Sequence, residues 1–131
     1  MADVGKWIAN EATKQCAKWI SKGAPKDFYI HINATADDLV RPDYAGEIIA
    51  LLKKYNLTPE NILIELTETS LMENMGKCRK NLMELNAAGI RTALDDFGSG
   101  YSSFNYLKQL PVNEIKIDKS IISHQTSYNL L

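Results

Sequence analysis

The chain has almost no excess charge, few cysteines and no long apolar run, and each shortage removes a class of protein. Its 131 residues carry 15 Lys and Arg against 16 Asp and Glu, a formal net charge of −1. No basic surface argues for a DNA or RNA duplex, and no polybasic patch argues for membrane contact. No apolar run approaches the length needed to span a bilayer, and no signal peptide is visible. The only cysteines, Cys16 and Cys78, lie far apart inside helical patterns. Such a pair is not a secreted disulfide framework, so the expectation is two buried thiols in a reduced, cytoplasmic setting. No low-complexity segment or linker interrupts the sequence, and residues 1–131 read as one domain or part of one, with no second domain.

What remains is the composition of a globular protein, 45% hydrophobic and 24% charged, so a buried core is affordable. Val4, Trp7, Ile8, Ala12, Cys16, Trp19 and Ile20 recur at helical spacing, and Gly23 is placed to end that helix. A short strand over Phe28–Ile32 closes at Asn33. A second helix is marked by Tyr44, Ile48, Ile49, Leu51, Leu52 and Tyr55, followed by a turn at Thr58–Asn61. Ile62–Leu66 reads as a strand with Glu65 near its end. Met72, Met75, Cys78, Leu82 and Leu85 mark a third helix closed by Gly89. Ile90–Leu94 is a third strand, a short helix is expected near 104–109, and Glu114–Asp118 is the last strand. The Trp7/Trp19 and Met72/Met75 spacings are read as core packing. Strand and helix alternate, which predicts an α/β fold with parallel strands and right-handed crossovers. Residues 124–131 read like the opening of a further helix, so the chain is expected to be part of a larger unit.

Chemistry-bearing residues recur where the strands end. The first strand gives Asn33, and the second gives Glu65 with Glu68 just beyond. The third gives Asp95 and Asp96, and the fourth gives Lys116 and Asp118. In a parallel sheet or barrel these ends share one rim, where α/β active sites lie. Carboxylates and a carboxamide oxygen together form a hard, oxygen-rich site suited to Mg²⁺, Mn²⁺ or Ca²⁺. Clustered carboxylates repel one another, and a cation keeps them ionised. Lys116 stands between two isoleucines and calls for an anionic partner, a carboxylate or a substrate phosphate. Plainer roles exist: Asp95-Asp96 as a turn or helix cap, Asn33 as a turn residue, Glu68 as a cap of the following helix. Asp118 is left out of the site, and His31 and His124 are read as structural or surface residues.

The motifs resemble one family. His31-Ile-Asn33-Ala-Thr, Glu65-Leu-Thr-Glu68-Thr, the run Asp95-Asp96-Phe97-Gly98-Ser99-Gly100-Tyr101-Ser102-Ser103 and Lys116-Ile-Asp118 are similar, in order, to those of the EAL domain. This is the bacterial cyclic-di-GMP phosphodiesterase domain, and Ser99 stands where the family pattern has threonine. The resemblance implies a TIM-like (β/α)₈ barrel with one antiparallel strand, and hydrolysis of cyclic-di-GMP to the linear dinucleotide with two Mg²⁺ or Mn²⁺ ions. It implies that Asn33, Glu65, Asp95 and Asp96 are metal ligands. Lys116 would orient the attacking water or the phosphate, with Asp95 and Asp96 sharing in catalysis. Glu68 would brace the loop Phe97–Ser103, which takes part in dimer contacts.

The departures from the family pattern shape the remaining expectations. No Glu-Ala-Leu strand precedes the first helix, so a metal-ligating glutamate is absent. The family's later strands, with a further glutamate and a glutamine motif, are absent too. A complete barrel takes roughly 250 residues, so the chain is expected to be about half of an EAL barrel, from its first helix to just past its fifth strand. Two open sheet edges then predict self-association, as a homo-oligomer or domain swap. For this piece alone little or no turnover is expected. The alternative reading is an inactive cyclic-di-GMP-binding or oligomerisation module.

Overall fold

Three short apolar runs, ending near Asn33, Thr67 and Leu94, carry the architecture, because each presents alternate residues to opposite faces. In the computed structural model, residues 2–67, 71, 75–97, 112 and 114–117 are described, with backbone alone for 2, 3, 95–97, 114, 115, 116 and 117. The elements are α1 (Ala2–Ser21), β1 (Ile30–Asn33), α2 (Ala36–Leu39), α3 (Tyr44–Lys54), a 3-10 turn (Pro59–Asn61), β2 (Ile62–Thr67), α4 (Met75–Ala87), β3 (Arg91–Phe97) and β4 (Glu114–Ile117). The strands form one four-stranded sheet in the order β1-β2-β3-β4, and every pairing is parallel. Ile32, Ile62, Ile64, Leu66, Ile90 and Leu94 join Ala9, Leu39, Tyr44, Ile48, Leu82 and Leu85 in one core. The helices therefore cover one face, and the alternate residues His31, Asn33, Leu63, Glu65, Arg91 and Ala93 belong to the other. Sequential parallel strands with helices on a single face are the pattern of a β/α barrel wall, not of a doubly wound sheet. Among the described residues no helix is long and apolar enough to cross a membrane.

Helix ends are set by local chemistry. Gly23, Asn56 and Gly89 take positive φ of 114°, 55° and 86°. Past α1, α3 and α4 the chain then folds back through Ala24 N–H to Trp19 O (3.1 Å), Leu57 N–H to Leu52 O (2.8 Å) and Ile90 N–H to Leu85 O (2.9 Å). All three helices thus end in the same left-handed cap, which satisfies orphan carbonyls. The four-residue helix α2 is started by a capping box between Thr35 and Asp38, an element the apolar pattern does not reveal because it contains too few residues to show periodicity. Asp38 also approaches α1 so closely that a Cβ on Gly5 would lie 2.4 Å from its Oδ1. Arg41 then bonds Asp38 at 3.2 Å and Glu47 at 2.5 Å, and Lys6 reaches Glu47 at 3.3 Å.

Two expectations change. The apolar recurrence located α1 correctly but not its buried face. Ala9, Thr13 and Cys16 are buried, whereas Trp7 is 64% and Trp19 46% exposed. Small residues let the helix lie close to the sheet: Cys16 Sγ sits 3.9 Å from Asn61 O. Trp19 instead packs edge-on against Phe28, with centroids 5.7 Å apart. The third strand also runs further than Ile90–Leu94, so Asp95 and Asp96 lie within β3 and not in a loop after it. The expected helix near 104–109 and Met72 lie outside the described residues, while Met75 packs against the core.

Two buried asparagines fasten the crossovers. Asn81 of α4 accepts from Ala45 N–H at 3.1 Å and donates to Leu39 O and Arg41 O at 2.6 and 2.7 Å. Asn61 accepts from Thr58 N–H at 2.9 Å and donates to Lys26 O and Phe28 O at 2.9 and 2.6 Å. Truncating either amide strands buried backbone groups, so Asn81→Ala is expected to cost about 2–4 kcal/mol, read from urea unfolding. Both cysteines are free and buried, and burial raises both thiol pKa values. Neither is expected to react with a thiol reagent until the protein is denatured, and rapid labelling of the folded chain would contradict the packing.

Candidate active site

The strand register decides what the rim of the sheet contains. Asn33 pairs with Glu65, and Glu65 pairs in turn with Ala93, while Thr67 pairs with Asp95. Asn33, Glu65 and Asp95 therefore stand at the C-terminal ends of three adjacent parallel strands. Between β3 and β4 the ladder jumps: Leu94 pairs with Ile115 but Phe97 with Ile117. Two residues, Asp95 and Asp96, thus stand across from one, Lys116. The register shift here is a β-bulge or similar irregularity in the backbone ladder. Such irregularities in a ladder recur next to active sites.

Glu65 is 8% exposed, which is costly for a carboxylate without partners. Its Oε1 lies 2.5 Å from His31 Nδ1. Its backbone carbonyl accepts from Ala34 N–H at 2.7 Å, tying the chain after β1 to β2. His31 is two residues before Asn33 and paired with Leu63, so it reaches Glu65 diagonally on the same face. Its ring stacks on Tyr29 with centroids 5.5 Å apart and planes at 14°, and the Arg91 guanidinium lies 4.5 Å from the Tyr29 centroid. The sequence reading missed His31 as a site residue. Alternation along His31-Ile-Asn33 puts it on the face of Asn33, but only the β1–β2 register brings it to Glu65.

Asn33 and Glu65 supply neutral and anionic oxygens side by side, the hard donor type that divalent cations prefer. Among the described residues no three His, Cys, Asp or Glu side chains gather to hold a metal. The backbones of Asp95, Asp96, Phe97 and Lys116 have the positions given above. Glu68, Gly98, Ser99, Gly100, Tyr101, Ser102, Ser103 and Asp118 lie outside the described residues. The donor set fits a hard cation as far as it is described: two adjacent oxygen donors, with two further carboxylate positions on the next strand.

A parallel β/α wall with acidic and amide residues at its C-terminal rim defines a barrel-type α/β domain with an oxygen-donor site. The sequence pattern described as EAL domain matches residues 1–130, and the chain belongs to that family. The signaling protein YkoW of Bacillus subtilis is 42% identical over 120 residues, covering 92% of this chain and 15% of YkoW. MucR of Pseudomonas aeruginosa, a bifunctional diguanylate cyclase/cyclic di-GMP phosphodiesterase, is 32% identical over 123 residues, covering 94% of this chain and 18% of MucR. The solved PaMucR phosphodiesterase, a c-di-GMP complex, superposes with a TM-score of 0.81 at 32% identity over 94% of this chain and 51% of that one. BlrP1 of Klebsiella pneumoniae, solved with manganese and c-di-GMP, gives a TM-score of 0.78 at 29% identity over 94% of this chain and 31% of that one. The chain is thus a partial TIM-like (β/α) barrel of EAL type. It spans about half of the solved PaMucR chain and under a fifth of the two curated relatives.

If the rim is a cation site, Glu65→Gln and Asn33→Ala should each weaken Mn²⁺ binding by at least tenfold in calorimetric titration, with the unfolding midpoint little changed. Unaltered Mn²⁺ affinity in both variants would exclude them as ligands.

Proposed function

We propose that this chain forms the metal- and phosphate-binding half of a cyclic-di-GMP phosphodiesterase barrel in bacterial second-messenger signalling. The observation that carries the reading is the register that aligns Asn33 with Glu65 and sets Asp95, Asp96 and Lys116 on the two following strands. Relatives that bear the name phosphodiesterase, and a neighbour solved with manganese and c-di-GMP, support it.

In this reading Asn33, Glu65, Asp95 and Asp96 hold Mg²⁺ or Mn²⁺. A bound divalent pair supplies an activated water and a clamp on phosphoryl oxygens. The chain's own residues do the rest. Burial of Glu65 strengthens its attraction for a cation by excluding water. Lys116, opposite the bulge, offers a positive charge to a phosphate oxygen and to the developing negative charge of in-line attack. Glu68 braces the segment Phe97–Ser103, and that segment contributes to contacts between copies. Two free thiols support a reducing, cytoplasmic setting.

A hydrolysis assay with Mg²⁺ or Mn²⁺ and a binding titration with cyclic-di-GMP test this together. The expected outcome is measurable ligand binding with little or no turnover by this chain alone, since its match spans half of the solved domain. Binding without turnover even in the full-length protein would favour the second reading, a cyclic-di-GMP-binding module. No affinity for either metal or dinucleotide would overturn both.

Self-association belongs to the same proposal. Among the described residues β1 pairs only with β2 and β4 only with β3. Val4, Trp7 and Ile8 are exposed on α1, the helix that packs against edge strand β1. An open edge beside an apolar stripe invites a second copy. Light scattering at micromolar concentration is expected to give a discrete oligomer, and a monomer mass would sink this part.

A further inference from the structure

We infer that His31 is a positioning residue for Glu65: it holds the carboxylate in the orientation that receives a divalent cation. The inference rests on the reading of Glu65 as a ligand. Four observations carry it. His31 Nδ1 lies 2.5 Å from Glu65 Oε1, a direct polar contact between ring and carboxylate. Glu65 is buried, whereas the side chain of His31 is 44% exposed, so the ring covers the carboxylate from the open face of the sheet. The ring is itself held, stacked on Tyr29 at 5.5 Å and 14°, with Arg91 over that tyrosine at 4.5 Å. The backbone fixes the approach, because His31 pairs with Leu63, two residues along the ladder from the Asn33–Glu65 pair and on the same face.

A glutamate side chain has three rotatable bonds, and ordering them on cation binding costs affinity. A donor that fixes the carboxylate beforehand removes part of that cost. Hydrogen-bond partners of ligating carboxylates commonly change metal affinity by about 10–100-fold when removed. The contact requires the proton on Nδ1, because an ionised carboxylate only accepts. The near-parallel stack on Tyr29 limits the planes the ring can take.

Two substitutions separate the hydrogen bond from the packing. His31→Phe keeps a ring to stack on Tyr29 and removes the donor. His31→Asn removes the stack and keeps an N–H near the Nδ1 position. Calorimetric titration of the chain with Mn²⁺ is expected to show affinity lowered at least tenfold in His31→Phe and within about threefold of the unmodified chain in His31→Asn. The thermal midpoint without metal serves as the folding control. A metal-free readout accompanies it. The ring ¹⁵N shifts should report the Nδ1-protonated tautomer for His31, and Glu65→Gln should change them. The chain contains only 2 histidines, so assignment is direct.

Wild-type affinity in His31→Phe, equal losses in both His31 variants, or an Nε2-protonated ring insensitive to Glu65→Gln would overturn the inference. Mn²⁺ binding that is lost in Glu65→Gln but kept in His31→Phe would sink it while leaving the site reading intact. Mn²⁺ binding unaffected by Glu65→Gln, or absent from the unmodified chain, would overturn the site reading and this inference together.

Discussion

The parallel register of β1, β2 and β3 is the constraint on which the rest of the structure depends. Ile30 aligns with Ile62, and Asn33 with Glu65. From that alignment one set of alternate residues goes to the helices and the other to the open face. A slip of one residue would invert both sets. It would put Glu65 among Leu82, Leu85 and Leu94, and Ile64 at the rim. The apolar demand of the helix-covered face and the polar demand of the rim thus select the same register. Site and core are two faces of one pairing.

That register must be kept although parallel strands are joined only through long crossovers. The buried asparagines supply much of the fastening. Asn61 ties the approach to β1 to the start of β2, at the N-terminal end of the sheet. Asn81 ties α4 to the turn between α2 and α3. Each satisfies backbone groups that would otherwise be buried without partners. The three left-handed caps at Gly23, Asn56 and Gly89 turn each long helix back toward the next strand. Small residues on α1 let it approach the sheet closely, so its tryptophans face outward.

The rim combines regularity and a defect. Regular pairing brings Asn33 beside Glu65, and a register shift sets two successive aspartates across from Lys116. Below them, His31, Tyr29 and Arg91 form a stacked support whose uppermost member contacts Glu65. Membership of the EAL domain family gives this arrangement its chemical context.

The sequence by itself determined the order of the four strands and three long helices, the α/β class, and that Asn33, Glu65 and Asp95 stand toward strand ends. Apolar periodicity, glycine stops and carboxylates at strand ends are local signals, written in neighbouring positions. It likewise marked Cys16 and Cys78 as buried thiols, since each falls on an apolar helical pattern. Only the tertiary structure decided which face of α1 is buried, because a stripe of Ala9, Thr13 and Cys16 looks weaker in sequence than one of tryptophans and wins only through close approach to Asn61. The structure also decided that Asp95 and Asp96 continue β3, since a strand lasts as long as its neighbours pair with it. The roles of His31, Asn61 and Asn81 were likewise hidden. Each bonds to residues distant in the chain, and no local pattern encodes a contact that exists only after the strands and helices have met.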